Sequence, residues 1–333
     1  MSEKFTITPL DQLLKIILKQ LSKGRLFGIP SELFFRPDSS DPFRFNRYGQ
    51  ILETPIGVAA GPHTQLAQNI VISWLMGARY IELKTIQTLD ELNVSKPCID
   101  MQDEGYNCEW SQELRVQESF EQYLDAWIII HVLRHKFNWG NSNPGVIFNM
   151  SVGYDYEGIQ KENVQWFLDK MFDASDYLEQ KKESIKSIYP KVAELDINPC
   201  ISNNITLSTM HGCPVNEIEK IGKYLIEDRN LHTTVKLNPT LLGRKEINEI
   251  LNNSGFKTNV PDSAFEHDPK FDEMVSIIQN LEKSAAKNDV HFGLKLTNTL
   301  ESRNHKNTFP STEEMMYLSG RALHPISIKV AEK

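Results

Sequence analysis

Cysteine is scarce in this sequence, and what there is lies scattered. Cys98, Cys108, Cys200 and Cys213 are the four cysteines of 333 residues. No two stand in a C-x-x-C pair, so neither a zinc ribbon nor an iron–sulfur ligand run is present. Four are too few for a disulfide framework, which fits a reduced compartment. Excess positive charge is also missing: 36 Lys and Arg against 44 Asp and Glu leave a net −8. A nucleic-acid binder would need a basic stripe instead. The N-terminus, MSEKFTITPL, has no apolar signal region, and the longest apolar run, Ala126–Ile130, is too short to span a bilayer. A cytoplasmic protein without a membrane span is expected. Neither a G-x-G-x-x-G fingerprint nor a G-x-x-x-x-G-K-[ST] loop occurs, so the usual dinucleotide and P-loop sites have no support. Repeats, low-complexity tracts and Pro/Ser/Gly-rich linkers are likewise missing.

What is present suits one large core, with 40% hydrophobic residues. The spacing of Leu10, Leu13, Leu14, Ile17, Leu18 and Leu21 predicts an opening helix, with Thr8 as N-cap, Pro9 at the first helical position and Gly24 as the stop. Residues 1–45 read as a helical extension and 46–333 as the main domain. The alternation over 43–52, broken by Gly49, predicts a hairpin. Six short apolar runs follow: Ile56–Ala60, Tyr80–Leu83, Val146–Met150, Asn204–Leu207, Thr233–Leu237 and Val290–Leu296. Amphipathic stretches near 64–76, 111–137, 160–187, 214–227, 244–253 and 272–286 separate them, and another closes the chain at about 321–333. Buried strands alternating with helices mean βαβ units and a parallel sheet.

Two architectures fit this order, a doubly wound open sheet and a (β/α)8 barrel. The polar residues favour the barrel. Most of the runs end in small or polar side chains, as at Ala60-Gly61-Pro62, Lys84-Thr85, Asn149-Met150-Ser151, Ser208-Thr209, Lys236-Leu237-Asn238 and Thr297-Asn298-Thr299. A barrel gathers all its strand ends on one face, whereas an open sheet uses one switch point.

Those strand-end strings, in order, resemble the flavin barrel of the dihydroorotate and dihydropyrimidine dehydrogenases. They are Thr54-Pro-Ile-Gly-Val-Ala-Ala-Gly61, Glu82-Leu-Lys-Thr85, Leu207-Ser-Thr-Met-His-Gly-Cys213, Val235-Lys-Leu-Asn-Pro239, Leu296-Thr-Asn-Thr299 and Leu318-Ser-Gly320. GPHTQLAQNIV (61–71), IELKTIQTLD (81–90), FNMSVGY (148–154), LSTMHGCP (207–214) and VKLNPTLLG (235–243) are similar to the N-terminal region of the selenate reductase iron–sulfur subunit family. The resemblance runs from about residue 25 to the end.

It implies an α/β TIM barrel of dihydroorotate-dehydrogenase type that binds FMN. About six of eight strands are expected in this chain, which leaves the first and sixth as open edges unless N-terminal segments fill the gap. FAD and iron–sulfur clusters are expected only in domains absent from this chain. The implied activity is hydride or electron transfer between flavin and a small nitrogenous heterocycle, with electron-transfer domains or subunits as partners. The implied cofactor contacts are Ala59, Ala60 and Gly61 against the ring, Lys84 and Thr85 at its edge, and Asn149 on the flavin side. Lys236 would stand beside the edge that gains negative charge on reduction, with Thr297 and Asn298 nearby. Ser319 and Gly320 would approach the ribityl or phosphate end. Asn107, Ser208 and Asn298 are the implied substrate contacts.

The proton-transfer position departs from the pattern. Thr209 stands where relatives carry a cysteine, and Cys213 follows four residues later before Pro214. A helix start there should lower the thiol's pKa and make Cys213 a displaced acid or base; a buried thiol without a role is the plainer reading. No metal ligand set is expected. The long segment between Thr85 and Gly145 should form a lid over the flavin. A barrel without catalysis, serving as a scaffold for electron-transfer domains, or an inactive fragment, is the alternative.

Overall fold

The computed structural model describes residues 5–90, 92, 94–101, 105–108, 111–140, 143–208 and 213–333. Its centre is a parallel sheet of six strands: β1 (Gly57–Val58), β2 (Tyr80–Glu82), β3 (Ile147–Val152), β4 (Asn204–Ser208), β5 (His232–Leu237) and β6 (Phe292–Leu296). Their order across the sheet is their order in the chain. A doubly wound sheet reverses direction at a switch point; this one never does, so it winds one way, as a barrel does.

Glu82 and Lys295 show how strongly the sheet curls. β2 and β6 are separated by three strands, yet these two side chains form an ion pair. Only a sheet rolled toward closure brings its flanks that near across the concave side. β1 and β6 are the two ends of the parallel sheet. A cavity of about 600 Å³ opens beside them, lined by Val58, Glu82, Thr206, Thr234, Leu294 and Lys295.

The expected hairpin is present as Phe45–Arg47 paired with Gln50–Leu52. Tyr48 (φ 54°) and Gly49 (φ 72°) make its turn, the two-residue form in which both central residues need positive φ. The hairpin plugs the lower end of the lumen. The Tyr48 ring stacks on His232 at 4.7 Å, and its hydroxyl lies 3.4 Å from those of Tyr80 and Thr234. An N-terminal segment therefore fills the bottom of the barrel, while the flank between β1 and β6 stays open.

Helices cover the convex side. Val116–Phe137 is buried along most of its length, and Trp127 meets Phe148 of β3 edge-on. The opening helix runs Leu10–Leu21, but Thr8 does not cap it: Pro9 holds the N-cap position with extended backbone, and no side chain caps the first turn. The stretch 160–187 forms two helices, Glu162–Phe172 and Ser175–Ile185. Between them the Asp173 carboxylate accepts from both the N–H and the hydroxyl of Ser175. Such a side-chain bond competes with the helical ladder and starts a new helix.

A second, antiparallel sheet joins Ile99–Asp100, Tyr106–Asn107, Met315–Leu318 and Leu300–Arg303. The Leu318-Ser-Gly320 string, read as the end of a barrel strand, belongs to this sheet instead.

Below the sheet, Glu53 binds two guanidinium groups in the interior. Arg79 Nε lies 2.7 Å and Arg134 Nη2 2.8 Å from its carboxylate oxygens, with Arg79 and Glu53 almost fully buried. Gly145 makes room for this arrangement. A Cβ at that position would sit 2.4 Å from Glu53 Cδ, and its φ is +65°. Gly145→Ala is expected to lower the melting temperature by several degrees, because steric clash and left-handed strain add there; an unchanged melt would contradict this packing.

Candidate active site at the strand ends

Parallel pairing puts alternate residues of neighbouring strands on one face. Lys236 of β5 pairs in register with Ser208 of β4 and Lys295 of β6, so these three side chains rise from the concave side together. Lys84 follows β2 two residues beyond Glu82. The lysines interact: Lys295, Glu82 and Lys84 all act electrostatically on Lys236. Lys84 and Lys236 are buried. Burial, with Lys295 and Lys84 beside it, pushes the Lys236 ammonium down to about 7 against the pull of Glu82. Burial alone would raise Glu82; Lys295, Lys236 and the Ala60 N–H together hold it below the usual carboxylate range.

Ala59, Ala60 and Gly61 form the turn after β1. The Ala60 N–H donates to Glu82 Oε2 at 2.9 Å, which ties this turn to the charge cluster. A Cβ on Gly61 would meet the His63 ring at 2.7 Å. Partial burial and the nearby Lys84 lower the His63 pKa, opposed by a hydrogen bond to the Ala59 backbone.

The remaining expected residues lie at the strand ends, within the sheet and on the antiparallel sheet. Thr85 shares a hydroxyl contact of 2.9 Å with Ser151, at the ends of adjacent strands. Asn298 lies beside the end of β5: its N–H donates to Leu237 O at 2.7 Å and its Nδ2 to Asn238 Oδ1 at 3.1 Å, while the Thr297 hydroxyl bonds the Asn298 carbonyl. Asn149 sits deeper and is fully buried. Its amide donates to Asn204 Oδ1 at 2.8 Å and accepts from the Thr206 hydroxyl at 2.6 Å, so it knits β3 to β4, with one donor and one acceptor in reserve.

Asn107 and Ser319 meet each other, Asn107 Nδ2 donating to Ser319 Oγ at 3.4 Å on the antiparallel sheet. Gly320 follows with φ +67°. That sheet joins the mouth through Thr299, which links Asn298 to Leu300. Thr209 lies outside the described residues.

Cys213 departs from expectation. The helix begins at Val215 with Pro214 as N-cap, but burial and the Glu217 and Asp155 carboxylates push the thiol up to about 11. Desolvation and two nearby negative charges outweigh the helix end. Alkylation of Cys213 by iodoacetamide, followed by mass spectrometry, should therefore be slow at pH 7 and rise about tenfold per pH unit toward 11. Rapid labelling at neutral pH would contradict this environment.

Glu82 and Lys295 belong to the cluster, although sequence reasoning assigned them no role. A signal existed for Lys295: Gly293-Leu-Lys-Leu296 repeats the Val235-Lys-Leu237 pattern of a lysine set in an apolar strand, where a charge is costly without a partner.

The chain is similar to three sets of known proteins. Residues 27–333 match the family model described as "Oxidoreductase YgfK, N-terminal TIM-barrel domain". The proteins named oxidoreductase YgfK in Escherichia coli K12 and O157:H7 are each 42% identical over 349 residues, covering 97% of this chain. The chain spans about a third of the length of these relatives. Among solved structures, DHODH of Eimeria tenella in complex with ferulenol aligns at 13% identity and a TM-score of 0.47, over 95% of this chain and 76% of that one. No helix among the described residues is long and apolar enough to cross a membrane.

Proposed function

The chain belongs to the family of oxidoreductase YgfK N-terminal TIM-barrel domains, and from that premise we propose that it binds FMN at the C-terminal ends of its parallel strands. The observation that carries this reading is a cluster of three lysines at the strand ends, Lys84 and Lys236 buried and Lys295 half-buried. Lys295 and Lys84 act on Lys236 together with the Glu82 carboxylate. Such a site favours a ligand that is electron-rich or gains negative charge. The Ala59–Gly61 turn, with little side chain, lets a flat ring approach the backbone. These donors fit FMN.

When bound, FMN would supply the two-electron acceptor or donor for hydride exchange with a small nitrogenous heterocycle. Lys236 and Lys84 hold and polarise the edge that gains charge. Thr85, Thr297 and Asn298 orient the ring system. Asn107 and Ser208 face the substrate, and Ser319 and Gly320 the ribityl or phosphate end. Cys213, protonated at neutral pH, can donate a proton but is poorly disposed to remove one; Thr209 is the other proton-transfer candidate. The chain would work within a larger cytoplasmic iron–sulfur redox protein of the selenate reductase subunit type, whose further domains carry FAD and clusters. Residues 46–333 are its barrel and 1–45 its helical extension.

The test is flavin content. The purified natural protein, heat-denatured and chromatographed, should release about one FMN per chain. Absence of flavin would overturn the reading and favour the rival one, a barrel without catalysis that docks electron-transfer domains. The raised pKa of Cys213 is the observation on that side.

A further inference from the structure

We propose that Cys98 and Cys108 form a redox-active dithiol that a small disulfide closes reversibly into a cross-strand bond. The two cysteines flank the short strands Ile99–Asp100 and Tyr106–Asn107. Those strands pair antiparallel, with Ile99 opposite Asn107 and Asp100 opposite Tyr106. One step further out, the same register sets Cys98 opposite Cys108, and the Cys108 N–H donates to Cys98 O at 3.0 Å. Residues opposed in this way carry their side chains on the same face, with Cα atoms about 5.5 Å apart. Disulfides span Cα separations of about 4.4–6.8 Å, so the bond needs side-chain rotation and little backbone movement. The Cys108 sulfur already turns toward its partner, 3.7 Å from the Cys98 carbonyl oxygen.

The surroundings give the two sulfurs different parts. Cys98 is buried and Cys108 half-buried. Lys96 Nζ lies 3.5 Å from Cys98 Sγ and 2.6 Å from both carboxylate oxygens of Glu113. Burial opposes a charge on Lys96, yet Glu113 and then Cys98 raise its pKa, so an ammonium stands at the buried sulfur. A cation beside a cysteine favours the thiolate, the form that attacks a disulfide. Cys200 and Cys213 have the opposite setting: burial, with carboxylates nearby, raises both.

The exchange runs in two steps. Cys108, the more accessible thiol, loses its proton to solvent and attacks one sulfur of the small disulfide. A mixed disulfide forms and one small thiolate leaves. The Cys98 thiolate, beside Lys96, then attacks the Cys108 sulfur, which forms the Cys98–Cys108 bond and expels the second small thiolate. The protein gives up two electrons and two protons, and the small disulfide becomes two thiols. The bond staples together two strands of only two residues each, one of which holds Asn107 against Ser319.

The experiment exposes the purified natural protein, without air, to graded ratios of oxidised to reduced glutathione. Samples are capped with N-ethylmaleimide, digested without reductant and mapped by mass spectrometry. A peptide joining Cys98 to Cys108 should accumulate with oxidised glutathione and vanish on return to reduced glutathione, while Cys200 and Cys213 stay thiols. In Cys98→Ser the reaction should stop with glutathione carried on Cys108. Lys96→Met should slow closure about tenfold, as expected for the loss of one charge-assisted hydrogen bond. Lys96→Arg keeps the cation and should close near the wild-type rate. The wild-type map needs no variant and decides the inference by itself. No linked peptide at any ratio, glutathione left standing on wild-type Cys108, or linkage of either cysteine to another one instead would overturn it. Closure of Lys96→Met at the wild-type rate would overturn the part given to Lys96. None of these readouts involves flavin, so the FMN reading stands or falls separately.

Discussion

Replacing Lys236 with methionine should slow flavin reduction about 10²–10³-fold, the usual cost of removing one preorganised stabiliser of developing charge. Methionine keeps most of the volume and removes the ammonium, so packing along β5 should survive. The flavin potential should fall as well. The pH dependence follows from the Lys236 value of about 7. Below that pH the ammonium is charged before the ring takes up electrons, and its full stabilisation is present. Above it the group is neutral until reduction draws a proton onto it, so the benefit shrinks as pH rises. The gap between wild-type and Lys236→Met potentials should therefore be widest below pH 7 and narrow above it. Stopped-flow reduction and potentiometry from pH 6 to 9 would check both. Equal rates, or a gap that does not change with pH, would remove Lys236 from the charge-bearing role.

The largest expected loss of stability is at Glu53. Its carboxylate binds Arg79 at 2.7 Å and Arg134 at 2.8 Å in the interior. Glu53→Ala leaves two guanidinium groups without their shared counter-ion. Breaking a buried pair in this one-sided way costs about 3–5 kcal/mol, a large part of the roughly 5–15 kcal/mol that holds a domain folded. Burial already pulls the Arg79 pKa down against the effect of Glu53, so removing the carboxylate removes what keeps that charge affordable. The unfolding midpoint in urea should drop sharply. A loss below about 1 kcal/mol would match a surface pair and contradict the burial.

Much of the architecture was legible in the sequence because buried parallel strands leave a contiguous apolar mark. All six runs became strands, and 244–253 became the helix Arg244–Asn253 without change of bounds. Where the sequence misled, local chemistry won. Asp173 and Ser175 bond each other and divide one amphipathic stretch into two helices. The antiparallel sheet was illegible for a different reason. Two of its strands have only two residues each, and one of them, Tyr106–Asn107, also pairs with a strand about 200 positions away, so no local period announces them.

The site divides along the same line. Lys84, Lys236 and Asn298 could be picked out because each ends an apolar run with a polar side chain. Asn107 and Ser319 do meet, but on the second sheet. Glu82 and Lys295 went unassigned because their contact exists only when the sheet curls, and curvature leaves no trace in residue spacing. Cys213 went the other way: a helix start promised a reactive thiol, but the surrounding carboxylates became visible only in three dimensions.

On the proposed reading, the flavin ring lies at the mouth formed by the ends of β2, β5 and β6. The most direct test is a crystal structure of the flavin-loaded natural protein. The expected result is a ring edge within hydrogen-bond reach of Lys236 Nζ, with the Ala59–Gly61 turn against its face. A flavin bound elsewhere, for example in the cavity of about 570 Å³ lined by Trp127, His131 and Cys200 near the opposite strand ends, would contradict it.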